Sequence, residues 1–173
     1  MEMEKTKTCC FFGHRKIEVN NELKDRVSKA VERLIVEENV DTFLFGSKSE
    51  FDSLCVECVS KLKEKYPHIK RIYVRAEFPC IDDKYKAYLL KSYDETYYPE
   101  RIVSAGKAVY VERNYEMINR SKFCIIYYDE NYMPPTRKNS KRAVLNYQPK
   151  SGTKLAYDYA VKKKVIIINQ SVD

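Results

Sequence analysis

The chain has 173 residues, 44% of them hydrophobic and 33% charged, with six cysteines and a net charge of +7. That length supports one domain with its own core, and that balance excludes a disordered or collagen-like chain. No apolar run approaches the roughly 20 residues that span a bilayer, and the charged first eight residues lead into an apolar run too short for a secretory signal. The expectation is a cytoplasmic protein with reduced cysteines and no membrane partner.

In chain order, residues 8–12 are apolar and end at Gly13, which reads as a strand. Asn20 and Asn21 are helix-capping residues, and Leu23, Val27, Ala30, Val31, Leu34 and Ile35 follow at helical spacing. Residues 41–45 form a second apolar run, ended by Gly46. Ser49 with Asp52 three positions later resembles a capping box. Phe51, Leu54, Cys55, Cys58, Val59 and Leu62 make a second helical stripe, closed by Pro67. Residues 71–76 read as the third strand.

The 82–98 stretch is rich in tyrosine and charge, with Tyr85, Tyr88, Leu89 and Tyr93 near helical spacing, and 102–104 reads as a short strand. A helix is predicted over 111–121, with Met117 and Ile118 inward, then a strand over 123–128. Residues 131–150, with Pro134, Pro135 and Pro149, read as a long loop holding a short strand at 143–147. A helix over 151–163 carries Leu155, Ala156, Tyr159 and Ala160 on one face, and 165–169 is the last strand. Strands that are apolar throughout and alternate with amphipathic helices belong to a parallel sheet covered on both faces. The predicted fold is therefore α/β, a single Rossmann-like domain over 1–173 with a mostly parallel sheet and helices on both faces.

There are only four glycines, and Gly13, Gly46 and Gly152 each lie at a junction that leads into a helix. In an open α/β sheet such junctions sit at the carboxyl edge, where ligands bind, and a helix N-terminus favours phosphate. The same glycines also suit a turn with positive φ and no ligand at all. Three clusters fall at that edge: Gly13-His14-Arg15; Gly46-Ser47-Lys48-Ser49 with Glu50 and Asp52; and Ser151-Gly152-Thr153-Lys154. Arg113-Asn114, read as the start of a helix, joins them. Arginine grips phosphate bidentately. Neither a dinucleotide-binding glycine fingerprint nor a P-loop motif is present.

Other chemistries compete with blander roles. His14 follows a junction glycine and is a candidate ligand contact or general acid–base. Glu50 and Asp52 are candidate catalytic carboxylates or simple helix caps, and two-residue spacing does not put them on one helix face. Cys55-x-x-Cys58 falls on an apolar stripe with no second ligand pair, so it reads as core and no metal site is expected. Tyr85, Tyr88, Tyr93, Tyr97, Tyr98, Tyr127, Tyr128 and Tyr132 are equally suited to base stacking, core or interface, with Tyr128 and Tyr132 the best placed for a base. His68 reads as a turn or surface residue. The +7 charge keeps a nucleic-acid partner open, although the lysines are spread along the chain.

The Cys-Cys-Phe-Phe-Gly-His-Arg run at 9–15, the Gly46–Asp52 junction and the Tyr-Pro-His-Ile within 61–70 resemble the YspA/YpsA-like branch of the SLOG superfamily. So do Arg113-Asn114 with Met117, Ile118 and Ser121 before a strand, and Ser151-Gly152-Thr153 before the last helix. The superfamily is named for DNA-processing protein A and for Lonely Guy, a phosphoribohydrolase. The resemblance covers nearly the whole chain. It implies a Rossmann-like fold, a nucleotide or nucleotide-derived (ADP-ribose-like) ligand, and a site at Gly13, His14, Arg15, Gly46, Arg113, Gly152 and Thr153. It also implies a homodimer formed through helices. Three positions depart from the pattern. Ser151 stands where many relatives have glycine, Ser47 follows the Gly46 turn, and Ala156 replaces the Lonely Guy glutamate. The expected function is binding or sensing of a phosphate-bearing ligand, with a nucleotide N-glycosidase and a nucleic-acid-binding protein as alternatives.

Overall fold

The computed structural model describes residues 3–133 and 151–171. Among the described residues six strands alternate with five helices: β1 (Thr8–Gly13), α1 (Asn21–Glu37), β2 (Thr42–Phe45), α2 (Glu50–Lys65), β3 (Lys70–Val74), α3 (Asp83–Leu89), β4 (Glu95–Tyr97), α4 (Ala108–Asn119), β5 (Phe123–Tyr127), α5 (Gly152–Lys162) and β6 (Ile166–Asn169). Every strand pair is parallel, and the order across the sheet is β4-β3-β2-β1-β5-β6. This is the predicted Rossmann-like arrangement.

Alternation along the central strands decides which helix each residue meets. Cys9 and Phe11 of β1, Phe43 and Phe45 of β2, and Phe123 and Ile125 of β5 pack with Leu23, Val27, Val31, Leu34 and Ile35 of α1 and with Phe51, Leu54, Cys55, Cys58 and Val59 of α2. Their neighbours Cys10, Phe12, Leu44, Cys124 and Ile126, with Ile72 and Val74 of β3, pack with Met117 and Ile118 of α4 and Ala156 and Ala160 of α5. Both faces of the sheet are thus withdrawn from water, which is why these strands read as unbroken apolar runs. Five of the six thiols are buried, including Cys55 and Cys58 in the α2 stripe, and only Cys80 is exposed.

The middle of the chain differs from the sequence reading. The fourth strand is Glu95–Tyr97, not 102–104, and Ile102 instead packs with Ala76 and Val109 in a small cluster beside the sheet. Pairing creates this strand. The Arg71 guanidinium donates to both oxygens of Asp94 at 3.1 and 3.2 Å, and the Thr96 hydroxyl donates to the Tyr73 carbonyl at 2.8 Å. Helix α4 begins three residues earlier than expected, so Arg113 and Asn114 lie in its second turn rather than at its start. Of the 131–150 loop, residues 134–150, with the strand expected at 143–147, lie outside the described residues. Among the described residues no helix is long and apolar enough to cross a membrane.

From β1 the chain builds outward through β2, β3 and β4, then returns to add β5 and β6 on the other side. The switch between β1 and β5 opens a crevice beyond the carboxyl ends of the strands, the place where ligands collect in open α/β sheets.

Candidate functional site

A cavity of about 560 Å3 occupies that crevice. The loops after β1, β2 and β3 line it with 13–15, 46–49 and 75–78. Tyr110, Arg113 and Asn114 of α4, Tyr132 beyond β5, and Ser151, Gly152 and Thr153 at the start of α5 complete it. The structure therefore brings together Gly13, His14, Arg15, Gly46, Ser47, Arg113, Asn114, Ser151, Gly152 and Thr153 around one space.

Two of the three junction glycines serve packing. Neither Gly13, Gly46 nor Gly152 has a positive φ. A Cβ on Gly13 would overlap Phe51 at the start of α2, so this glycine lets β1 and α2 touch. A Cβ on Gly46 would lie 2.6 Å from Cδ of Arg113 and 2.9 Å from Sδ of Met117. Gly46 thereby admits the Arg113 stem, and the buried guanidinium donates through Nη1 to the Gly46 carbonyl and through Nε to Oδ1 of Asn114 at 3.0 Å. At Gly152 a Cβ would meet nothing within 4 Å.

The turn that leads into α2 is closed on itself. Ser49 caps the helix by accepting from the Asp52 N–H at 3.0 Å, as the Ser-x-x-Asp spacing predicts. The Asp52 carboxylate reaches past the cap to accept from the Ser47 N–H at 2.8 Å, and the Ser49 N–H donates to the Ser47 hydroxyl at 3.0 Å. The Glu50 N–H donates to the Arg15 carbonyl, and the Glu50 carboxylate accepts from the Ile17 N–H at 2.7 Å. Glu50 and Asp52 thus brace two loops, and neither lines the cavity. Burial pushes the Asp52 carboxyl up to about 7, against the pull of the Ser47 amide and the Arg113 charge, and its Oδ1 has no partner among the described residues.

The start of α5 is open. Ser151 accepts from the Lys154 N–H at 3.0 Å, while the Gly152 and Thr153 N–H groups have no partner among the described residues. Among the described residues four cations line the cavity, Arg15, Lys48, Arg75 and Arg113, against one carboxylate, Glu77. None of the four forms an ion pair within 4.0 Å among the described residues.

His14 is buried and ties β1 to the end of β5. The Asp129 backbone N–H donates to its Nε2 at 2.8 Å. The same Nε2 lies 3.2 Å from the Asp129 carbonyl oxygen, and Nδ1 is buried without a partner among the described residues. Burial lowers the His14 pKa from its ordinary value, so the ring is neutral at pH 7 and acts as a dipole rather than a cation. Tyr132 stacks on it with ring centroids 3.9 Å apart and planes 12° from parallel. Tyr128 stacks on Tyr157 instead, 4.5 Å away, and does not line the cavity.

No family model matches the chain. Over 146 residues, covering 75% of this chain and 81% of the relative, it is 31% identical to the uncharacterized SPbeta prophage-derived protein YoqJ of Bacillus subtilis (strain 168). The chain belongs to the YoqJ family. Among solved structures it is similar to DNA processing protein A from Helicobacter pylori, a structure that describes a single-stranded DNA binding mode. The TM-score is 0.57 at 14% identity, with 94% of this chain covered and 64% of that one. The YoqJ-family chain spans about two thirds of that protein, and the likeness shows a shared fold, the one that the SLOG resemblance implies.

Sequence reasoning missed one wall of the YoqJ-family site. Tyr73, Arg75, Glu77, Phe78 and Tyr110 line the cavity beside Tyr85. The junction after β3 contains no glycine, so a reading led by glycines passes over it. The available signal was position: Arg75 follows the third strand directly, at the carboxyl edge.

Proposed function

We propose that this YoqJ-family chain binds a small phosphate-bearing, nucleotide-derived ligand, of the mononucleotide or ADP-ribose class, in the crevice between β1 and β5. One observation carries the reading: Gly152 and Thr153, whose N–H groups have no partner among the described residues, line a cavity whose described walls carry four cations and one carboxylate. A helix N-terminus with unpaired N–H groups favours an anion, and Arg15, Lys48 and Arg113 add charge where the phosphate would sit. The same motif order, at 9–15, 46–52, 113–121 and 151–153, supports a place for the family beside the YspA/YpsA-like branch of the SLOG superfamily.

Binding is favoured over N-glycosidic cleavage. Glu77 is the one carboxylate among the described lining residues, Glu50 and Asp52 are held in loop bonds, and Ala156 is buried. The test is a thermal-shift series with AMP, UMP, ADP-ribose and NAD on the parent chain and on Gly152→Val. A Cβ there meets nothing within 4 Å, so the fold should survive while bulk is added at a residue that lines the cavity. A ligand at 100 times its dissociation constant should stabilise the parent by about 2.7 kcal/mol, and the variant should lose that gain. An equal shift in both proteins removes this reading. Release of free base or nicotinamide during incubation would restore the enzyme alternative.

A second reading is single-stranded DNA binding, favoured by the fold shared with DNA processing protein A and by the +7 charge. It requires binding of a labelled oligonucleotide that weakens steeply with salt. Absence of binding at moderate salt removes it.

A further inference from the structure

The β3 end of the cavity is built differently from the α5 end. Phe78 has φ 61°, in the left-handed region that a bulky residue rarely adopts. Arg75 holds it there. Its Nε donates to the Phe78 carbonyl at 3.2 Å, its Nη2 to the Pro79 carbonyl at 3.4 Å and its Nη1 to the Thr96 hydroxyl at 3.1 Å. A buried guanidinium thus anchors two successive carbonyls to the sheet. The strained backbone does not put the ring into a core. Phe78 is 57% exposed, belongs to none of the buried clusters, and stands edge-on to Tyr85 with centroids 6.0 Å apart. Tyr110, 40% exposed, lines the same cavity and lies under the Arg113 guanidinium at 5.7 Å.

From the strained, exposed Phe78 fixed by Arg75 at the cavity rim, we infer that this wall receives a planar heteroaromatic ring, so that the ligand is a nucleoside phosphate and not a sugar phosphate or a free anion. The inference rests on the phosphate reading of the α5 end and adds what lies at the other end. Phe78 supplies the stacking face, Tyr85 and Tyr110 border it, and Arg75 is the positioning residue that keeps the ring at the rim. An aromatic face recognises any base through its π-surface, so the wall selects for a ring without fixing which ring.

Calorimetric titration with AMP, UMP and ribose 5-phosphate tests this on the parent chain and on Phe78→Ala, Phe78→Gly and Phe78→Trp. Glycine accepts the left-handed backbone without strain, so Phe78→Gly removes the ring while keeping the loop. Loss of the stacking face should weaken nucleotide binding about 5- to 150-fold in Phe78→Ala and Phe78→Gly. Ribose 5-phosphate should bind all four proteins alike, and Phe78→Trp should retain nucleotide affinity. If the parent binds nucleotide and sugar phosphate equally, or if the Ala and Gly variants weaken both to the same degree or neither, the base wall is overturned and the phosphate site stands. If the parent binds none of the three, both readings fall together.

Discussion

Helices α2 and α5 begin from similar chemistry and end in opposite states. Each is entered through a short run of serine, glycine and lysine, and each is capped by a serine that accepts from the third N–H beyond it. At α2 the Ser47, Ser49, Glu50 and Asp52 N–H groups all find partners within the two neighbouring loops. At α5 the Lys154 N–H is committed to the cap, and the Gly152 N–H, the counterpart of Glu50, has no partner among the described residues; the second N–H of each helix, that of Phe51 and that of Thr153, has none at either end. A hydroxyl-and-glycine run before a helix therefore specifies a cap. Whether it also offers an anion site depends on where each N–H goes, and that accounting separates the two ends.

The sharpest way to probe the closed end is through pH. Asp52 is raised from 3.8 to about 7 by burial, so the folded chain holds a proton that the unfolded chain releases. Its contribution to stability is fullest below about pH 4 and declines as pH rises to about 7, with no further loss above. Asp52→Asn removes that slope. Relative to the parent, the variant should gain stability between pH 4 and pH 8, on the order of 4 kcal/mol for a three-unit displacement, in urea unfolding at both pH values. A constant difference between the two proteins would show that Asp52 is ionised throughout.

Alanine at the junction glycines should reproduce the contrast. Gly13→Ala forces a Cβ onto Phe51 and should cost about 3 kcal/mol, the upper end for overpacking. Gly46→Ala meets the flexible stems of Arg113 and Met117 and should cost about 1–2 kcal/mol while displacing Arg113 from the cavity. Loss of a cap comes next. Ser49→Ala and Ser151→Ala should each cost about 1 kcal/mol. Ser49 should be the larger of the two because its hydroxyl serves a buried turn. Gly152→Ala should change stability by no more than about 0.5 kcal/mol, since the methyl group enters open space. Midpoints of chemical unfolding rank all five, and a destabilised Gly152→Ala would show that the α5 end is as closed as the other.

Much of this architecture was visible in the chain itself, for a physical reason. A strand buried on both faces shows as an unbroken apolar run, and α1 and α2 show their inward stripes at 3.6-residue spacing. The strand Glu95–Tyr97 was not visible, because it is held by Arg71, Asp94 and Thr96 across strands rather than by its own apolar pattern. At the site, Gly13 and Gly46 pointed to the right loops for an incomplete reason: they make room for Phe51 and Arg113 rather than for a ligand or a positive φ. Phe78 gave no sign, since the Arg75 side chain that bonds its carbonyl is itself held by the Thr96 hydroxyl, a contact that exists only once β3 and β4 are paired.

The uneven burial of the cysteines gives the chain its own reporter. Cys80 is the one exposed thiol of six and sits two residues beyond Phe78. A thiol-reactive dye applied to the native protein should attach once, two residues from Phe78, with no engineering. In denaturant the count should rise to six, so labelling stoichiometry measures the unfolded fraction while the singly labelled product watches the cavity fill.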